Sequence, residues 1–185
     1  MERITRFSRE GLTFDVTDRG PLEGPVTLLL HGFPASRRSW DAVAPILADA
    51  GMRTLAFDQR GYARDARPRG VGAYRPRELV RDAVALADAA GARRFSVVGH
   101  DMGGVVAWWL AMAAPRRVER VAVVSTPHPR AFARALVSSD QAIRSSYMAL
   151  IAVPGLAERV LLPASPAPSR RCGCRSGTCT STRRR

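Results

Sequence analysis

The sequence predicts an α/β domain in which helices cover both faces of a mostly parallel sheet. Short apolar runs alternate along the chain with segments of helical periodicity, which is the pattern of such a sheet. Several of the apolar runs lead directly into glycine-containing polar segments. Because open α/β sheets bind ligands beyond the carboxyl ends of their strands, these segments are the candidate functional site.

Five runs have the composition of strands. Each is either uniformly apolar or alternates apolar with polar residues, and glycine, proline or aspartate bounds several of them. The predicted strands are Leu12–Val16, Val26–Leu30, Thr54–Phe57, Phe95–Val98 and Val118–Ser125.

Two amphipathic helices lie between these strands. The first has apolar residues at helical spacing from Trp40 to Leu47, with Gly51 as a stop signal. Pro45 interrupts this spacing, so a short turn followed by a helix that starts at Pro45 fits equally well. The second helix, Pro76–Ala90, has one apolar stripe and ends before a glycine.

A third helix is predicted over Val105–Ala114. Its segment Val105–Met112 is apolar on every side, which predicts burial between the sheet and neighbouring elements. We therefore expect Trp108 and Trp109 to fill the core, as large aromatic residues commonly do, and not to bind a ligand.

Asp101 is the candidate nucleophile. It lies in the segment Gly99–Gly104, between a predicted strand and a predicted helix. Glycines two residues before and after Asp101 allow a sharp turn, and the helix that follows directs free N–H groups toward developing negative charge. The G-x-D-x-G pattern alone is weak, since ordinary strand-to-helix turns also contain it.

Three other segments follow predicted strands in the same way. They are His31–Pro34 (HGFP), Asp58–Tyr62 (DQRGY) and Thr126–Pro129 (TPHP). All should meet Asp101 at one edge of the sheet. The expected pocket residues are His31, Gly32, Pro34, His100 and His128, although the His100 side chain should point away from the pocket.

The order and spacing of these segments resemble the α/β-hydrolase superfamily, in its epoxide hydrolase and haloalkane dehalogenase branch. HGFP precedes Asp101 by 70 residues, DQRGY lies between them, and the likeness extends over residues 12–161. The resemblance implies the α/β-hydrolase fold and a covalent ester formed when Asp101 attacks a substrate carbon. It also implies an oxyanion hole made by the N–H groups of Phe33 and Met102, with a cis Phe33–Pro34 peptide.

The segment 144–155 resembles the first helix of the family's cap domain. There the resemblance implies that Tyr147 donates a proton to the oxygen of an epoxide. The implied partner is a small molecule with an epoxide or another electrophilic carbon, and no cofactor is implied.

The residues beside the nucleophile discriminate between branches of the family. Haloalkane dehalogenases hold halide with an Asn after HG and a Trp after the nucleophile, whereas haloacetate dehalogenases have an Arg after it. This chain has Phe33 and Met102 at these places, and neither side chain donates a hydrogen bond. An epoxide hydrolase is favoured, a dehalogenase remains the alternative, and a serine-type hydrolase is disfavoured by Asp101.

The family's water-activating histidine and its carboxylate partner have no candidates after the predicted cap. No Asp, Glu or His follows Glu158. We therefore expect a truncated homologue that forms the ester and then stalls. The alternative is a non-catalytic relic or a partner-binding fragment, with a homodimer as one form of it.

The sequence divides into three parts. Residues 1–128 are the predicted hydrolase core, residues 129–164 the beginning of a helical cap, and residues 165–185 a disordered tail rich in Arg, Ser, Pro and Cys. The abrupt change of composition suggests that the tail is read in a shifted frame. Its C-x-C-x4-C spacing, with no nearby histidine, does not fit a zinc site, so no metal is predicted at Cys172, Cys174 and Cys179.

Charge and hydropathy exclude other function classes. The net charge of the 185 residues is +13, but six of the 29 basic residues lie in the last sixteen positions. The remaining arginines are scattered without interleaved aromatic residues, which argues against a nucleic-acid surface. No apolar run reaches the length of a membrane helix and no signal peptide opens the chain, so a soluble cytoplasmic protein with no membrane contact is expected.

Overall fold

The computed structural model describes residues 2–148 and Val153. The chain divides into two compact units, Met1–Arg134 and Ala135–Arg185. The predicted tail, residues 165–185, lies outside the described residues. No helix among the described residues is long and apolar enough to cross a membrane.

A six-stranded sheet organises the first unit. Its spatial order is β1-β2-β4-β3-β5-β6, and β3 pairs in parallel with both β4 and β5, as β5 does with β6. β2 pairs antiparallel with both β1 and β4 and so runs opposite to the other five strands, which confirms the mostly parallel sheet. The strands are β1 Arg6–Arg9, β2 Leu12–Arg19, β3 Val26–Leu30, β4 Arg53–Phe57, β5 Phe95–His100 and β6 Val118–Val124.

Five α-helices and two short 3-10 helices connect or follow the strands in the described residues. The α-helices are α1 Val43–Asp49, α2 Pro76–Ala89, α3 Met102–Ala113, α4 Pro129–Ser138 and α5 Gln141–Arg144, and the 3-10 helices are Arg37–Trp40 and Val71–Tyr74.

The first strand was not predicted from the sequence. β1 pairs with β2 through a turn at Glu10 and Gly11, both of which have positive φ. The segment RFSR contains a single apolar residue, Phe7, so it lacks the usual strand signal. Phe7 is buried because its ring stacks on Phe14, with centroids 4.7 Å apart. Tertiary packing therefore creates this strand.

Of the two predictions for the first helix, the structure confirms a short turn followed by a helix, although the helix begins two residues before Pro45. Trp40 belongs to the 3-10 helix, and α1 begins at Val43. Pro45 lies within the first turn of α1, where the missing N–H of proline has no intrahelical partner to lose.

The burial predicted for the third helix is also wrong. α3 begins at Met102, three residues before the predicted start, and buries one face that includes Val106 and Leu110. Trp109 is 41% exposed and Trp108 is only half-buried, so these residues do not fill the core. A helix that is apolar on all sides does not reveal which face the sheet will cover.

Buried side chains form a cluster on each face of the sheet. All five residues of β3 are buried, and its apolar residues are divided between the two clusters. Leu28 and Leu30 join the larger cluster together with residues of α2 and α3, whereas Leu29 joins a smaller one with Trp40 and Ala44. Helices therefore cover both faces, as predicted.

The second unit contains the end of α4, all of α5, and a helical turn at residues 146–148. The sequence predicts the first cap helix over residues 144–155. Arg144 is the last residue of α5, Ser145 is a turn, and residues 146–148 are helical, so helical structure begins two residues after the predicted start. Beyond Met148, except for Val153, this segment lies outside the described residues.

Candidate active site

The predicted segments meet beyond the carboxyl ends of four neighbouring parallel strands. His31–Pro34 follows β3, Asp58–Tyr62 follows β4, Asp101 follows β5, and Thr126–Pro129 begins two residues after β6. Since β4, β3, β5 and β6 are adjacent in this order, all four segments lie at one edge of the sheet, as the sequence predicts.

Asp101 adopts a strained backbone conformation in the turn between β5 and α3. Its φ is 50° and its ψ is −117°, a region that residues with a side chain rarely occupy. The Asp101 N–H donates to the carbonyl of Val124 at 3.1 Å, and the Asp101 carbonyl accepts from the N–H of Gly104 at 2.8 Å. A Cβ on Gly99 would lie 2.2 Å from the carbonyl oxygen of Gly103, so the turn requires glycine there.

The carboxylate of Asp101 faces the loop that follows β3. Its Oδ2 accepts a hydrogen bond from the Phe33 N–H at 2.9 Å. A Cβ on Gly32 would lie 2.6 Å from the Asp101 Cβ and 2.8 Å from Oδ2, so only glycine lets the carboxylate take this position. The Phe33–Pro34 peptide is cis, as predicted. Among the described residues, no Arg or His side chain forms a salt bridge with Asp101.

His31 lies beneath this loop with both ring nitrogens engaged. Nδ1 lies 2.9 Å from the carbonyl oxygen of Gly32, and Nε2 lies 3.1 Å from the N–H of Gln59. A carbonyl only accepts and an amide N–H only donates, so Nδ1 carries the proton and Nε2 is the acceptor. Burial lowers the pKa of His31, which keeps the ring neutral. His31 is therefore a structural support of the loop and has no free lone pair for a base.

Tyr62 is a further aromatic group of the site. Its ring meets the His31 ring edge to face, with centroids 4.6 Å apart. Burial raises the pKa of the Tyr62 phenol, and the negative charge of Asp101 raises it further. The phenol therefore keeps its proton near neutral pH. The sequence identified Tyr62 only as the end of the DQRGY segment.

The two charged residues of DQRGY support the scaffold. The Asp58 carboxylate accepts from the Arg37 backbone N–H at 2.8 Å and pairs with the Arg37 guanidinium. Arg60 donates two hydrogen bonds of 2.8 Å to Asp82 of α2, and these raise the pKa of Arg60. Gln59, by contrast, donates from its side chain to the His31 carbonyl at 2.5 Å.

The other two histidines differ in their surroundings. The His100 side chain is exposed. His128 Nδ1 accepts from the Arg130 N–H at 3.2 Å, and its ring meets that of Trp108 edge to face at 4.9 Å. The lone pair of His128 is therefore engaged by the backbone, as that of His31 is.

The residue that donates its N–H to Asp101 and the residue that follows Asp101 in the chain both have exposed apolar side chains. Phe33 is 54% exposed, and Met102, the first residue of α3, is 43% exposed. The first N–H groups of a helix have no intrahelical partner, and the Asp101 side chain does not cap α3. The Met102 N–H is thus one of the free donors at the start of α3.

Tyr147 belongs to the second unit. It lies in the helical turn 146–148, and its side chain is 59% exposed. Its role as a proton donor remains a prediction.

Within residues 2–148, no group of three or more His, Cys, Asp or Glu side chains could hold a metal ion. The cysteines at 172, 174 and 179 lie outside the described residues.

Comparison with known proteins identifies the family. The family model described as alpha/beta hydrolase fold matches residues 25–171. The chain belongs to the α/β-hydrolase family. Its relatives and structural neighbours place it in the epoxide hydrolase-like branch, as the spacing of HGFP, DQRGY and Asp101 indicates.

Among curated relatives, Epoxide hydrolase A of Mycobacterium tuberculosis is 41% identical over 157 residues, which cover 82% of this chain and 48% of the relative. The AB hydrolase superfamily protein YfhM of Bacillus subtilis is 36% identical over 152 residues, 82% of this chain and 53% of the relative. The crystal structure of Epoxide Hydrolase A from Mycobacterium thermoresistibile superimposes with a TM-score of 0.70 at 32% identity, covering 84% of this chain and 50% of that one. The chain thus spans about half the length of these relatives.

Proposed function

We propose that this chain forms the nucleophile and oxyanion-binding part of an epoxide hydrolase, with Asp101 as the nucleophile. The observation that carries the proposal is the Asp101 carboxylate, which accepts one neutral N–H, from Phe33 at 2.9 Å, and forms no salt bridge within the described part of the chain. A carboxylate held by a single amide keeps lone pairs for attack.

In the proposed first step, an Asp101 carboxylate oxygen attacks an oxirane carbon. The bond between that carbon and the ring oxygen breaks, and its electron pair leaves with the oxygen. The alkoxide then takes a proton from a phenol or from water, and an ester on Asp101 remains. Two tyrosines are candidates for this proton donor. Tyr62 is a protonated phenol whose pKa the charge of Asp101 helps to raise, and Tyr147 is the donor that the family resemblance implies.

In the second step, water attacks the ester carbonyl and releases a diol. The negative charge that forms on the carbonyl oxygen would be stabilised by the N–H groups of Phe33 and Met102. The lone pairs of His31 and His128 each accept a backbone N–H, so neither ring is arranged as the base. We therefore propose that the ester accumulates on this chain.

The surroundings of Asp101 favour a neutral, apolar substrate. The exposed side chains of Phe33 and Met102 offer apolar surface and no hydrogen-bond donor for a halide or a carboxylate. An aryl epoxide such as styrene oxide meets this description and is a suitable probe.

The test is covalent labelling of the full chain. Intact mass after incubation with styrene oxide should rise by one equivalent, and peptide mapping should place the addition on Asp101. Asp101→Asn should abolish the labelling, since an amide is a poor nucleophile, whereas Asp88→Asn, which changes an exposed carboxylate of α2, should not. Labelling that is absent, or that is unchanged in Asp101→Asn, would refute the proposal.

A further inference from the structure

Both peptide groups whose N–H is assigned to the proposed oxyanion hole are bound by a side chain at their carbonyl end. The first is the peptide between Gly32 and Phe33. Its N–H donates to Asp101 Oδ2 at 2.9 Å, and its carbonyl accepts from His31 Nδ1 at 2.9 Å. Because the C=O and N–H of a trans peptide point in opposite directions, a donor at the carbonyl fixes the direction of the N–H.

The second is the peptide between Asp101 and Met102. Its carbonyl accepts from the Thr126 hydroxyl at 2.7 Å, in addition to the backbone N–H groups of Gly104 at 2.8 Å and Val105 at 3.2 Å, and its N–H is the first free donor of α3. The same hydroxyl lies 3.4 Å from the Val124 carbonyl. A hydroxyl has one hydrogen, so the shorter bond, to Asp101, is its main interaction.

From this geometry we infer that Thr126 is a positioning residue, which orients and polarises the Met102 N–H through the carbonyl of Asp101. The role of Thr126 in catalysis rests on the proposed function, because the proposed function assigns the Met102 N–H to the oxyanion. A hydrogen bond received at a carbonyl withdraws electron density from the peptide and makes its N–H a stronger donor.

The residues around Thr126 are packed so that its hydroxyl reaches the Asp101 carbonyl. A Cβ on Gly104 would lie 2.6 Å from the Thr126 Oγ1 and 2.8 Å from its Cβ, so only glycine in the first turn of α3 lets the hydroxyl reach Asp101. The backbone of Thr126 is held as well, since its carbonyl lies 3.4 Å from the Trp108 Nε1 donor. Ser125 has a φ of 59°, a turn that a side-chain-bearing residue adopts only when its neighbours impose it.

Thr126 and Val124 also act on Asp101 as a pair. The Asp101 N–H donates to Val124, the last residue of β6, and the Asp101 carbonyl accepts from Thr126, so the end of β6 and the segment after it bind both backbone polar groups of the strained residue. No sequence motif indicated this role, because the residues are separated by 25 positions.

The test compares Thr126→Val, which removes the hydroxyl at nearly constant volume, with Thr126→Ser, which keeps it. In the NMR spectrum of ¹⁵N-labelled full-length protein, the resonance of the Met102 amide nitrogen should move to lower frequency in Thr126→Val. In Thr126→Ser it should return to its wild-type position. The Phe33 amide is an internal control and should stay in place. Thr13→Val, which removes a hydroxyl bonded to Ser8 in β1, should leave both amides unchanged.

The functional readout is the lifetime of the styrene oxide ester on Asp101, measured by mass at mildly alkaline pH. Thr126→Val should lengthen it about five- to tenfold, the effect of one neutral hydrogen bond, and Thr126→Ser should restore it. Thr126→Cys, with a weak thiol donor, should give an intermediate value and serves if the valine variant does not fold.

Each outcome decides a separate question. An unchanged Met102 amide in Thr126→Val, or an ester lifetime that none of the substitutions affects, overturns the inference. If the wild-type chain forms no ester, the proposed function fails, and the amide shifts alone decide whether Thr126 polarises the Met102 peptide.

Discussion

Asp82 and Asp101 are two carboxylates of the same unit with opposite surroundings. Asp82 is almost fully buried and accepts three hydrogen bonds of 2.8 Å, one from Arg9 and two from Arg60. Asp101 is half-buried and accepts one hydrogen bond from a neutral backbone N–H. Charge-assisted bonds occupy the lone pairs of Asp82, whereas Asp101 keeps most of its own. The difference separates a carboxylate that holds the fold together from the one proposed as the nucleophile.

The largest expected effect is a loss of folding stability when Asp82 is replaced. Asp82→Ala leaves the guanidinium groups of Arg9 and Arg60 buried without their shared partner, since the side chain of Arg60 is only 4% exposed. We expect a loss of roughly 3–5 kcal/mol in the free energy of unfolding, the usual cost of breaking a buried ion pair. Urea denaturation checks this value. A loss below 1 kcal/mol would show that Asp82 is not the anchor described above.

The second prediction concerns the space beside Asp101. Gly32→Ala places a methyl group 2.6 Å from the Asp101 Cβ, so the carboxylate must move away from the Phe33 N–H. A displacement of this kind costs about 100-fold in the rate of a positioned reaction. Single-turnover labelling by styrene oxide measures it. Gly72→Ala is the matched control, because a Cβ there meets nothing within 4 Å. Equal labelling rates in the two variants would contradict the prediction.

The third prediction concerns the neutral ring beneath the site. Burial lowers the pKa of His31 from its ordinary value of 6.5, although the Gly32 carbonyl and the charge of Asp58 oppose this change. The unfolded chain therefore binds more protons than the folded one just below pH 6.5, and stability falls as the pH drops from 6.5 toward the folded pKa.

Urea midpoints between pH 7.5 and pH 5 test this dependence. His31→Gln should weaken it, whereas His100→Gln, which changes an exposed histidine, should leave it unchanged. A pH dependence of the same size in His31→Gln would assign it to other groups.

The smallest effect is expected at an exposed ion pair. Asp88 of α2 accepts from Arg117 at 2.6 Å, but its side chain is 58% exposed. Asp88→Asn should change the unfolding free energy by less than about 1 kcal/mol, because water and salt screen exposed pairs. The contrast with Asp82→Ala, measured in the same urea titration, sharpens the difference between buried and exposed carboxylates. A comparable loss of stability in both variants would contradict the distinction between buried and exposed carboxylates.

The sequence by itself determined the architecture and the location of the candidate site. Five of the six strands, β2 to β6, lie where apolar or alternating runs predict them, and the segments after β3, β4 and β5 bring His31, Asp58 and Asp101 to one edge of the sheet. These features depend on local composition and on the rule that ligands lie beyond parallel strand ends.

Only the tertiary structure decided which residue partners each of these groups has. The sequence did not indicate that Thr126 binds the Asp101 carbonyl, that Arg60 binds Asp82 instead of a ligand, or that the lone pair of His128 is engaged. β1 and the exposed face of α3 depend likewise on what packs against them. Hydrogen bonds and burial join residues that are distant in the chain. Neither secondary-structure propensity nor hydrophobic periodicity indicates which distant residues will come into contact.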